Sequence, residues 1–82
     1  MKQKFEKYQQ IQLAKALPEY HFQSGDAATI VEILSDGNGK NGYVLEFFDC
    51  EGDTLKVITV AEDFIAFPPK HGVVNFRPYK AA

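Results

Sequence analysis

Asp49, Glu51 and Asp53 set three carboxylates at alternate positions around Gly52, and calcium prefers clustered oxygen ligands of this kind. The rest of a calcium loop is missing: no twelve-residue frame carries a glycine at its sixth position and a closing bidentate glutamate. Acidic residues beside glycine are also what a solvated hairpin turn uses, so the segment reads as a turn and no metal ligands are assigned. Glu32 and Glu46 could face each other on neighbouring strands, and paired carboxylates do acid/base work when burial separates their pKa values. Polar positions on the outer face of an alternating strand explain them more simply.

His21 and His71 stand alone in loop segments, without the spacing of a zinc site, and read as surface residues. Cys50 lies between Asp49 and Glu51, whose charge discourages the thiolate, so it reads as a half-buried structural thiol. No nucleophile, base and orienting group can be assembled from these residues. The expectation is a protein that is not an enzyme, with no catalytic residues and no cofactor.

The elements that must carry any site are strands. Tyr43-Val44-Leu45-Glu46-Phe47-Phe48 alternates, so Tyr43, Leu45 and Phe47 can line one face of a sheet and Val44, Glu46 and Phe48 the other. The turn Asp49 to Asp53 leads into a second run, Thr54 to Val60. Ala27 to Leu34 is rich in β-branched residues and follows a turn at Ser24-Gly25-Asp26, where Gly25 can take positive φ and Asp26 can accept from backbone N–H groups. Ser35 to Gly42 is a flexible, glycine-rich connection. Ala61 to Phe64 has room for one helical turn, and Ile65-Ala66-Phe67 can return as a short strand before Pro68-Pro69. Residues 1–17 fit a helical and a strand pattern equally, and Leu17-Pro18-Glu19 ends either one. Val73 to Phe76 fits a further edge strand, or a tail folded back on the domain.

With 82 residues the chain makes one domain, 1–82, and a core of this size favours pairing with another chain for extra stability. Four tyrosines and seven phenylalanines argue for a folded chain rather than a disordered one. The net charge of -2 opposes a function that depends on neutralising phosphates. Lys2, Lys4 and Lys7 form the only local basic cluster and read as a solvated N-terminus. There is no apolar signal segment and no run near the roughly 20 residues needed to cross a bilayer, so a cytoplasmic protein with no membrane partner is expected.

In order, Leu17-Pro18-Glu19, Gly25-Asp26, Thr29 to Ile33, Leu45-Glu46-Phe47, Asp49, Gly52 and Thr54-Leu55 resemble a set of short bacterial proteins grouped as a domain of unknown function. Their pattern runs Leu-Pro-Glu, Gly-Asp-x-Gly-Thr-Val-Val-Glu, Val-Glu-Phe, Asp-x-x-Gly. The resemblance implies a mainly all-β, SH3-like barrel of about five strands over residues 8–67, with a first strand near Ile11 and Leu13 and a C-terminal extension over 70–82. It also leaves only the extreme N-terminus to be helical. Ala28 stands where the pattern has glycine, and the extension is additional. Gly-Asp before a β-rich run also resembles the start of the KOW motif.

The function expected is a non-catalytic protein-interaction or regulatory module, accessory or antitoxin-like, whose partner is another protein or a second copy in a homodimer. Val44, Phe48, Val74, Phe76 and Tyr79 are the candidate contacts. The polyproline-binding signature of eukaryotic SH3 domains is missing, and there is no tryptophan. The alternative is a KOW-like nucleic-acid-binding barrel using Lys40, Lys56, Arg77 or Lys80 for phosphates and aromatic residues for stacking, which the charge opposes.

Overall fold

Alternation along the run from Tyr43 sets the centre of the structure. A computed structural model describes residues 5–79 and places this run in β3, Asn41–Phe48, with Tyr43, Leu45 and Phe47 at most 2% exposed and Phe48 on the opposite face. β3 lies between β2, Ala27–Ser35, and β4, Thr54–Ala61, both antiparallel to it. β1, Gln10–Leu13, pairs with β2, which settles residues 10–13 as strand.

A meander of five strands would put the short β5, Ile65–Ala66, beside β4. Instead it crosses to β1, pairing Leu13 with Ile65, and the sheet order is β4-β3-β2-β1-β5. The crossing is made by a 3-10 turn, Glu62–Phe64. Its Phe64 carbonyl accepts from the Ala14 N–H at 2.8 Å, and Asp63 takes the Lys15 ammonium at 2.6 Å. The result is a five-stranded antiparallel half-barrel, the architecture of a small SH3-like barrel, followed by a C-terminal tail. No helix among the described residues is long and apolar enough to cross a membrane.

Two bulges reset the side-chain parity. Between the pairs Ile30/Leu45 and Glu32/Val44, Val31 is an extra residue, and past it Ile33 rather than Glu32 turns toward the core. Leu55 is extra between Phe47/Lys56 and Phe48/Thr54, and it too packs on the core. A strict two-residue period cannot describe either strand along its whole length.

The core is Ile11 and Leu13 from β1, Ala28 and Ile30 from β2, the three inward residues of β3, Ile58 and Val60 from β4, and Ile65. Ala28, which replaces the glycine of the resembled pattern, is 3% exposed opposite Ile11. Leu17 and Phe22 enter from a loop closed by reciprocal backbone hydrogen bonds of 3.0 and 3.1 Å around the 3-10 turn Pro18–Tyr20. Phe5 fills the other end of the core and is fully buried. Residues 5–8 form a turn, not a helix, and residues 1–4 lie outside the described residues. The glycine-rich connection shortens to 36–40, where the Asp36 carboxylate accepts from the N–H groups of Asn38 and Lys40.

Tyr43 is buried along with its ring, and its hydroxyl donates to Glu62 at 3.2 Å. Burial raises its pKa above the ordinary value of 10.0. Below that pH the neutral phenol is favoured in both states; above it, the unfolded chain ionises first, so stability falls as pH rises through the folded value. A urea series from about pH 8 to 11 should show this alkaline loss, and Tyr43→Phe should flatten it.

Candidate interaction surface

The hairpin turn uses its acidic residues for its own closure. The Asp49 carboxylate accepts from the N–H groups of Glu51 and Asp53, both at 2.9 Å, while the Asp49 N–H donates to the Asp53 carbonyl at 2.8 Å. Gly52, at φ +90°, takes the left-handed conformation that the turn requires. The carboxylate oxygens of Asp49, Glu51 and Asp53 lie within 4.8 Å of one another, so the three acids do converge. An Asp49 oxygen already shared by two amides is what an Asx turn needs. Cys50, expected half-buried, is exposed, because the turn projects beyond the sheet and leaves no wall for it to pack on.

The structure separates Glu32 from Glu46. Glu32 is opposite Val44, and Glu46 is opposite Thr29, so the register offsets them along the ladder even though the Val31 bulge turns both to the outer face. Glu32 pairs with Lys7 at 3.6 Å and its charge raises the Lys7 pKa, whereas Glu46 accepts from the Thr54 hydroxyl. They cannot act as a facing pair. His21 and His71 are both at the surface.

On the outer face of the sheet, Val44 is half-buried and Phe48 is 43% exposed. Leu34 and Val57, which the sequence reading left out, share this face and are 49% and 53% exposed. The register puts Leu34 opposite Gly42, two residues from Val44, and Val57 opposite Glu46, between Val44 and Phe48. With no side chain at Gly42, Leu34 and Thr59 approach across it, and a Cβ there would sit 3.6 Å from Thr59 and 3.9 Å from Leu34. Among the described residues no strand pairs with the outer edge of β4.

The tail forms no strand over Val73 to Phe76, where Val73, Val74 and Phe76 are 91%, 81% and 74% exposed. It is anchored just beyond. Arg77 donates Nε to Asp26 Oδ1 at 2.9 Å and Nη2 to Asp26 Oδ2, and Nη2 also reaches the His21 carbonyl at 3.2 Å. This carboxylate contact raises the Arg77 pKa. The Tyr79 ring stacks on Phe22 at 4.8 Å, and its hydroxyl donates to the Tyr20 carbonyl at 2.8 Å. Of the five candidate contacts, then, Val74 and Phe76 are open, Val44 and Phe48 lie on the sheet's outer face, and Tyr79 is committed to Phe22. The pairing of Asp26 with Arg77 spans 51 positions and had no local signal to reveal it.

The cations proposed for phosphates do not gather. Lys40 precedes β3 while Lys56 pairs with Phe47 near its other end, about 20 Å away at the rise of a strand. Lys56 lies 5.5 Å from the Tyr20 ring centre, Arg77 is held by Asp26, and Lys80 falls outside the described residues.

Comparison with curated proteins finds no match, and neither does comparison with solved structures. A family model, Domain of unknown function (DUF4926), matches residues 8–66, a span that holds the strands and both 3-10 turns of the described residues as well as Asp26, and stops short of the tail. The chain belongs to the DUF4926 family.

Proposed function

We propose that this domain is a non-catalytic protein-interaction module that binds through the outer face of β3 and β4, pairing with a second copy along the β4 edge. The observation that carries this reading is the apolar stripe Leu34, Val44, Val57 and Phe48, which runs along one sheet face with Val44 and Val57 bridging its half-exposed ends, beside a strand edge with no neighbour among the described residues. Apolar side chains grouped on a surface gain by being covered, and an unpaired edge offers backbone groups to a second strand. Val44 supports the face from within the sheet, while Val74 and Phe76 offer the partner a second apolar contact on a tail that Tyr79 anchors to Phe22, on the core side of β3. A regulatory role in the cytoplasm, accessory to a larger protein and antitoxin-like in neutralising it by surface contact, would use the same face.

Phe48→Ser and Phe76→Ser are each expected to weaken self-association by about tenfold or more, the loss of one well-packed aromatic contact, with circular dichroism unchanged. Sedimentation velocity over a concentration series reads the effect. A profile that neither substitution alters overturns the reading.

A further inference from the structure

The tail's anchor has the composition of a peptide-binding site already filled. One wall is the Asp26 carboxylate, 19% exposed and itself held by the Gln23 N–H at 2.7 Å; the other is the Phe22 ring, with the Tyr20 carbonyl at its side. Arg77 meets the carboxylate through two nitrogens, a fork geometry that selects arginine over lysine. Two residues on, Tyr79 meets the ring face to face, with an interplanar angle of 12°. Pro78 between them exposes its side chain beside Pro18, Phe22 and Gln23.

We propose that the surface formed by Tyr20, Phe22 and Asp26 is a docking site for a segment of a partner protein that carries an arginine and, two residues later, an aromatic side chain, and that the chain's own Arg77-Pro78-Tyr79 occupies it as a competitor. Tyr20, Phe22 and Asp26 lie inside the family-matched residues 8–66, and Arg77 and Tyr79 lie outside them. The stretch from Phe67 to Phe76 joins the tail to β5 without strand pairing, so the plug can leave while the ladder stays intact. A tethered competitor is present at an effective concentration of about millimolar, which sets a threshold an outside segment must exceed. This site is separate from the outer face of β3 and β4, and Phe48→Ser, a change on that face alone, distinguishes failure of the one from failure of the other.

The test is made on the full chain. In the variant Arg77→Ala/Tyr79→Ala the site is vacated, and a fluorescent peptide of residues 70–82 is titrated against it by anisotropy. Saturable binding is expected, weakened at least tenfold in each of three controls: the wild-type chain, where the tail competes; the vacated chain with Asp26→Asn; and a peptide carrying the same two alanines. A folded vacated chain that ignores the peptide, or binds both peptides alike, overturns the proposal. So does a wild-type dimer that dissociates in the vacated variant, since the occupant would then be a second copy's tail. If the double variant does not fold, Arg77→Ala alone, which opens only the Asp26 half of the site, is titrated with the peptide and with its Arg77→Ala form; tighter binding than to the wild-type chain that needs the peptide's arginine is expected, and equal binding to both chains or of both peptides overturns the proposal.

Discussion

Phe5→Ala is expected to lower the unfolding free energy by about 3–5 kcal/mol, the usual cost of removing a buried phenylalanine from a core. For 82 residues the whole stability is on the order of 4–12 kcal/mol, so the substitution would leave much of the chain unfolded or close to it. Phe5 is fully buried, edge-on to Tyr43 at 5.8 Å between ring centres and tilted against Phe67 at 4.6 Å. It therefore closes one end of the half-barrel by joining the segment before β1 to the centre of β3 and to the chain just past β5. Phe5→Leu keeps most of the volume and should cost about 1–2 kcal/mol. Urea denaturation at neutral pH distinguishes the outcomes; a loss below about 1 kcal/mol for the alanine variant would mean that the core closes without this ring.

Phe5 also shows where the sequence stops being legible. The central hairpin was readable because each inward side chain of β3 announces itself by alternation, and Asp49 and Gly52 are the residues its turn requires. Gly25 was readable for the same local reason, taking φ +94° where the chain turns back beside Leu13. Phe5 recurs with Tyr8 and Ile11 at a helical spacing that the structure does not use, since residues 5–8 form a turn and Ile11 lies in β1. The crossing of β5 to β1 is made by long-range contacts such as Leu13 with Ile65 and Ala14 with Phe64, which no window along the chain can contain. The outer face was half legible: Val44 and Phe48 follow from the β3 pattern, whereas Leu34 and Val57 depend on register across two bulges. The pairing register, which sets Glu46 opposite Thr29 and Glu32 opposite Val44, is likewise not given by alternation, so Glu32 and Glu46 end up opposite other residues.

At the other end of the core, Phe22→Ala is expected to cost about 3–5 kcal/mol and to release the tail as well. Phe22 is 4% exposed and its ring lies between two others, 3.9 Å from Phe47 and 4.8 Å from Tyr79, both nearly parallel to it. Through it the tail rests on β3 with no strand pairing of its own. Tyr79→Ala removes only the outer ring and one hydrogen bond to the Tyr20 carbonyl, and should cost about 1–2 kcal/mol. In the Phe22→Ala background the same change should cost nearly nothing, because its stacking partner is gone and the loosened loop no longer holds the carbonyl in place. The double-mutant cycle, measured by urea denaturation, should thus give a coupling of about 1 kcal/mol or more. Additivity within about 0.3 kcal/mol would mean that Tyr79 is held independently of Phe22, through its hydrogen bond to the Tyr20 carbonyl. Coupling of the expected size makes the tail an outer layer of the aromatic core, so a ligand that displaces Tyr79 must offer Phe22 a ring of its own.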